Sequence, residues 1–165
     1  MKKSPDGSIH ARVRSAGLPD LATIQDINYE LFLIDYDWHQ DLNIEWPYNE
    51  DGLRYFTKCI EAEDYVLLVA EVDNRIVGYV AGVVKQPFSA EKGKRAELEN
   101  MCVLEEYRSH GIGGQLVDAF MEWAKDKEVD IVHVIAYTPN ERAINFYKKK
   151  GFSPYALNLW QKIKK

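Results

Sequence analysis

Apolar residues recur at helical spacing from Leu21 through Ile24, Ile27, Leu31 and Ile34, directly after the turn Gly17-Leu18-Pro19-Asp20. A second helical face runs through Leu53, Phe56 and Ile60 within 51–62. Between them, residues 35–49 are irregular, aromatic and acidic, with Pro47 as a breaker. The pattern then changes to strands over 65–72 and 76–84, joined across Asp73-Asn74, where Asn tolerates the positive φ of a tight hairpin. A short strand over 11–15 precedes the first helix, and a polar loop over 86–95 leads to a strand over 96–104. Ile112, Leu116, Ala119, Phe120 and Trp123 form the stripe of a third helix. An apolar strand over 131–136 follows. Thr138-Pro139-Asn140-Glu141 predicts a helix start with Thr138 as N-cap, and Gly151 a C-terminal stop. Leu157 to Ile163 reads as a closing strand. This order predicts a mixed α+β sheet with helices on its faces, in one domain over 1–165.

Composition narrows the function classes. With 46% apolar and 28% charged residues over 165 positions, the chain is that of an ordinary globular protein. A formal charge of −5 argues against nucleic acid as a partner. Two cysteines, Cys59 and Cys102, make neither a disulfide framework nor a metal-ligand set, so no metal is expected. No window reaches the roughly 20 apolar residues of a membrane span. Lys2 and Lys3 lack the apolar run of a secretory signal, so a cytoplasmic location is expected.

The chemistry concentrates at Arg108-Ser109-His110-Gly111-Ile112-Gly113-Gly114, between a strand and a helix. Glycines there let backbone N–H groups converge without Cβ atoms in the way, and the helix adds its unpaired amides and dipole. No Gly-Lys-Ser/Thr follows, which excludes a Walker A loop. The dinucleotide fingerprint is also poor, because the preceding strand is not N-terminal and no acidic residue ends a following one. An anion cradle and a purely structural turn both fit the spacing.

Glu99-Asn100-Met101-Cys102-Val103-Leu104-Glu105-Glu106-Tyr107-Arg108-x-x-Gly111-x-Gly113 resembles the signature of the GNAT (Gcn5-related) N-acetyltransferases. Asn140-x-x-Ala143-x-x-Phe146-Tyr147-x-x-x-Gly151-Phe152 resembles the second signature of that family, at the family's separation. The resemblance implies a GNAT-like, mostly antiparallel sheet of about six to seven strands, splayed between the strands at 96–104 and 131–136. It implies acetyl-CoA as donor, with the amides of Arg108, Ser109, His110, Gly111, Ile112, Gly113 and Gly114 on the pyrophosphate. Pantetheine would pair with the strand edge at Met101, Cys102 and Val103, and Asn140 would bond to it. Tyr147 would protonate the departing thiolate. Glu97 and Glu99 lie two apart on one strand face, so either is a candidate base, directly or through water. Their other reading is an exposed polar face. His133 is a third candidate, and no carboxylate stands in 133–137, where some members of the family carry one.

The acceptor is suggested by charge. From Ser15 to Leu53 there is no Lys or Arg, and nine carboxylates occupy the segment. Asp35, Tyr36, Trp38 and Trp46 lie in the stretch that the resemblance assigns to the acceptor, a setting for a cationic small-molecule or peptide amine. The competing reading is a solvated acidic surface. A non-catalytic acyl-CoA-binding regulatory module of the same fold is the alternative function. After Phe152 only 13 residues remain, fewer than the closing hairpin common in the family, which leaves a homodimer open.

Overall fold

The structure, a computed structural model, describes residues 7–85 and 92–163. The predicted loop over 86–95 therefore falls partly outside the described residues. Among those described, five strands form one sheet in the order β1 (Arg12–Ser15), β2 (Tyr65–Val72), β3 (Arg75–Lys85), β4 (Arg95–Val103) and β5 (Ile131–Val134). The first four pair antiparallel, and β4 pairs β5 in parallel. Four helices accompany them: α1 (Leu21–Asp35), α2 (Glu50–Glu61), α3 (Ile112–Asp126) and α4 (Glu141–Lys149). No described helix is long and apolar enough to cross a membrane.

Both sheet faces are covered, and the period of two along β3 shows how. Tyr79 points toward α1 and α2, meeting Phe56 edge-on and taking a 2.6 Å hydrogen bond from the buried Asn28 amide. Gly82, three residues on, faces α3. A Cβ there would come within 2.5 Å of the Phe120 ring, so the strand needs glycine at this position. The hairpin at Asp73-Asn74 uses positive φ at both residues (49° and 63°), the mirror-image turn that matches strand twist.

Strand β4 carries a bulge. Ala81 pairs with Asn100 and Gly82 with Leu98, which leaves Glu99 without a partner on β3. The extra residue reverses which side chains face which layer. Leu98, opposite Gly82, faces α3. Cys102, opposite Tyr79, faces α1 and α2.

The predicted closing strand is absent: residues 152–163 form no strand, and Leu159 and Ile163 are 81% and 90% exposed. The sheet thus has five strands among the described residues, where six to seven were expected. The edge it would join is only four residues long, and Pro154 has no N–H to offer a ladder. The α4 start also differs from expectation. Asn140, not Thr138, is the N-cap, and its Oδ1 accepts the Ala143 amide at 3.0 Å.

Candidate active site

The parallel β4–β5 pairing runs from Arg95 with Ile131 to Leu98 with Val134 and stops there. Strand β4 continues to Val103, and among the described residues 99–103 have no ladder partner on the β5 side. The gap stands where the splay is expected, but β5 is paired along its whole length and simply ends at Val134, short of position 136.

Beyond Val103 the chain makes a 3-10 turn, Glu105–Tyr107, and enters the glycine-rich segment. Ser109 and Gly111 take positive φ, 64° and 84°, and this doubles the backbone back to start α3 at Ile112. The first bond into α3 runs from the Gln115 amide to the Gly111 carbonyl at 3.1 Å. The amides of Ile112, Gly113 and Gly114 precede it and are the orphan donors of the helix end. Gly111 supplies no side-chain cap, and the first turn of α3 has no acidic residue. Nothing in the helix itself consumes these donors or opposes an anion.

The turn is held from outside. The Ile9 amide donates to the His110 carbonyl at 2.9 Å. The Gln115 side chain spans the same segment: Nε2 donates to the Ile9 carbonyl at 2.8 Å and Oε1 accepts the Ala11 amide at 3.0 Å. Arg108 is turned inward, its Nε donating to the Val103 carbonyl at 2.7 Å. From α4, Phe146 lies beside Gly113, and Lys150 lies beside Gly114 while pairing with Asp118 at 2.7 Å.

Tyr147, also on α4, is wedged between Phe146 and Phe152, with ring centroids at 5.1 and 5.5 Å. Burial, with a smaller contribution from the Asp35 charge, pushes its phenol well above the ordinary value, so the hydroxyl keeps its proton at neutral pH. Cys102 is buried on β4, and burial pushes its thiol up to about 11. An un-ionised thiol is a packing group rather than a nucleophile.

Glu97 and Glu99 do share a face, and both are drawn to one cation. Lys85 Nζ lies 3.2 Å from Glu97 and 2.9 Å from Glu99. The bulge brings Glu99 and Asn100 to the same phenol: Tyr55 Oη donates to Glu99 at 2.9 Å and accepts from Asn100 at 3.1 Å. His133 is likewise engaged, 2.9 Å from Arg95 Nη1 and beside the Tyr155 ring.

The acceptor candidates divide into two groups. Trp46 stacks on Phe32 at 5.7 Å and packs against Tyr55 and Phe56, wedged between α1 and α2. Tyr36 is 41% exposed. Asp35 and Trp38, by contrast, lie on the side of the splay. Asp35 ends α1, and burial raises its carboxyl to about 6, with the nearby His39 acting against the rise. Its charge reaches Tyr79, Cys102, Tyr137 and Tyr147, on three strands and loops and on α4. The Trp38 ring lies 6.0 Å from that of Tyr137. His39 Nδ1 lies 2.9 Å from Tyr137 Oη. Sequence reasoning missed Tyr137 and Lys85. Tyr137 stands in the stretch inspected only for a carboxylate, and Lys85 is 12 positions before Glu97 in the chain but on the same face of the β3–β4 ladder, two residues along β3 from Val83, the partner of Glu97.

Comparison with known proteins agrees with this geometry. The Acetyltransferase (GNAT) family model matches residues 29–152. An N-alpha-acetyltransferase of Sulfurisphaera tokodaii is 30% identical over 86% of this chain and 79% of its own. A thialysine N-epsilon-acetyltransferase of Mus musculus is 28% identical over 85% of this chain and 82% of its own. Among solved structures, the aminoglycoside N-acetyltransferase AAC(6')-Iy in complex with CoA superposes with a TM-score of 0.75 at 18% identity, over 98% of this chain and 99% of its own. The β4 edge leading into uncapped helix amides is thus set in a chain that belongs to the GNAT family of acetyltransferases and is an enzyme of that family.

Proposed function

We propose that this enzyme transfers the acetyl group of acetyl-CoA to a cationic primary amine, by attack of the amine nitrogen on the thioester carbonyl carbon. One observation carries the reading. The backbone edge at 99–103 runs directly into the orphan amides of Ile112, Gly113 and Gly114, a continuous track of main-chain groups suited to a peptide-like arm ending in a pyrophosphate. When bound, acetyl-CoA supplies the activated acyl carbon. Met101, Cys102 and Val103 would pair with the pantetheine arm, and the amides of 109–114 would hold the pyrophosphate; the Arg108 amide, expected among them, is bonded instead to the Glu105 carbonyl at 3.1 Å. Asn140 spends Oδ1 on its own helix, so Nδ2 is the atom that would donate to the arm. A backbone N–H near Val103 would steady the developing oxyanion. Tyr147, whose phenol carries its proton at neutral pH, would give it to the departing sulfur.

The acceptor reading rests on charge. Nine carboxylates and no Lys or Arg lie between Ser15 and Leu53; Asp20, Asp41 and Asp51 pair with Arg14, Lys162 and Arg54 from outside the segment, and Asp35 and Trp38 bring part of the remaining field to the splay. The reading is in keeping with the thialysine acetyltransferase among the relatives. The elements form one sheet with its helices, which supports a single acetyltransferase domain over 1–165. Cys59 and Cys102 are buried free thiols, as suits a reducing cytoplasm.

The test is CoA release at saturating acetyl-CoA across polyamines, lysine-like amines, aminoglycosides, and neutral or acidic amines. Turnover is expected with the cationic compounds. Turnover confined to neutral or acidic amines would remove the acceptor reading, and displacement of bound acetyl-CoA by ATP or NAD would remove the donor.

A further inference from the structure

The proposed reaction needs a proton taken from the amine nitrogen, and the expected carboxylates are poorly placed to take it. Glu97 and Glu99 are held by Lys85, and Glu99 by Tyr55 as well. His133 is bound to Arg95. On the other side of the splay one imidazole is differently situated. We infer that His39, hydrogen-bonded through Nδ1 to Tyr137, takes the proton from the attacking amine. This inference rests on the acetyltransferase reading above.

His39 belongs to the segment after α1. Its own amide and that of Trp38 bond back to the Asp35 carbonyl, at 2.9 and 3.0 Å, which fixes the backbone beneath the ring. Its Nδ1 lies 2.9 Å from Tyr137 Oη, with the two rings edge to face at 5.9 Å. Trp38 packs on the same phenol ring at 6.0 Å. The contact joins the acceptor segment to the stretch between β5 and α4, the far wall of the splay. Nε2 has no protein partner among the described residues.

The groups that face this imidazole can be named from each element around it. Asp35 approaches from α1, and Asp41 from the imidazole's own segment. Tyr137 approaches from beyond β5. Lys162 of the C-terminal segment stands behind Asp41, paired with it at 2.9 Å. Asp35 also acts on Tyr147, so the imidazole and the phenol that would donate to sulfur both feel the same carboxyl.

Tyr137 keeps its own proton, being pushed upward by burial and then by Asp35. In the productive tautomer Nδ1–H donates to Tyr137 Oη, and the Nε2 lone pair faces the amine. One ammonium proton passes first to Nε2, the freed nitrogen lone pair forms the N–C bond, and the second N–H proton goes to the Tyr147 phenolate as the amide forms. The C–S bond breaks as Tyr147 gives its proton to sulfur. Asp35 and Asp41 both act on the imidazolium, Asp41 while paired with Lys162 at 2.9 Å. Imidazole is the side chain that exchanges protons near neutral pH, and positioned general bases contribute about 10²-fold or more.

Two readouts test this. Nitrogen-15 NMR of the ring in the free protein is expected to show the Nδ1–H tautomer, which becomes a mixture in Tyr137→Phe; an Nε2–H tautomer in the wild type overturns the inference. For activity, His39→Asn keeps a donor near Nδ1 but has nothing at Nε2. It is expected to lose about 100-fold in kcat/KM, together with the acid limb of the pH profile, at unchanged acetyl-CoA affinity. Wild-type kcat/KM in His39→Asn, with loss only in His39→Ala, would make His39 a strut and overturn the assignment while leaving the acetyltransferase reading intact. No turnover by the wild type on any amine overturns both.

Discussion

The two walls of the splay are built by different means. On the proposed donor side the groups are main chain: a strand edge without a ladder partner, three helix-end amides, and a turn with positive φ at Ser109 and Gly111. On the acceptor side they are side chains on an irregular segment, where Asp35, Trp38 and His39 are oriented by one helix end and one hydrogen bond to Tyr137. Main-chain groups go wherever secondary structure puts them, so a donor site of this kind is insensitive to most substitutions. Side chains on a loop can be exchanged singly, which lets a fixed donor serve varied amines.

The largest expected effect breaks the donor wall. Gly113→Glu puts a carboxylate among the orphan amides and bulk toward Phe146. Losing two charge-assisted bonds of roughly 1.5–3 kcal/mol each should weaken acetyl-CoA binding by about 10²-fold or more. Calorimetry, with circular dichroism as a check on folding, measures it. Unchanged affinity would detach the turn from the cofactor. Next comes the step shared by both walls. Tyr147→Phe should lower kcat about 100-fold with acetyl-CoA affinity unchanged, and wild-type kcat across pH would exclude the phenol from proton transfer.

The smallest effect sharpens the acceptor wall. Burial raises the Asp35 carboxyl to about 6 from an ordinary 3.8, so below 3.8 it is protonated in both folded and unfolded chains and costs nothing. As pH rises from 3.8 to 6 the unfolded chain ionises first, and stability falls across that window, then stays lower. Asp35→Asn should therefore raise Tm by about 2–4 °C at pH 7.5, a gain of about 1 kcal/mol after allowance for the partial exposure of the site. The gap should close as pH falls through the window. The same variant should raise KM for cationic amines. A Tm difference that grows on acidification would show Asp35 to be stabilised as a carboxylate.

The same contrast explains what could be read from the chain. The glycine turn, the strand before it and the helix stripe from Ile112 are local patterns, and the structure has them where periodicity puts them. Boundaries that depend on distant partners were less legible. Leu157 to Ile163 has strand-like content, but β5 gives it only a four-residue edge, and the segment stays extended and exposed. Thr138 and Pro139 look like a helix start, yet the nearer Asn140 reaches the Ala143 amide and takes the cap. That Glu97 and Glu99 meet a lysine follows only from the β3–β4 register. The His39–Tyr137 bond joins positions 98 apart, and no spacing rule signals it.

The unpaired Glu99 has an arithmetical consequence. A strand alternates like odd and even numbers, and one extra residue exchanges the two sets for everything downstream. Before Glu99 the even positions look toward α3; after it Met101 and Val103 do, and Val103 comes to lie beside Gly113. Deleting Glu99 would close the bulge and leave every later pair in place, Asn100 with Ala81 and Val103 with Gly78. The parity of the numbers would then run unbroken along β4, and the side chains would face as they do now. Position 99 is therefore the residue of β4 that the ladder does not count, and its loss would leave the glycine turn beyond Val103 where it stands.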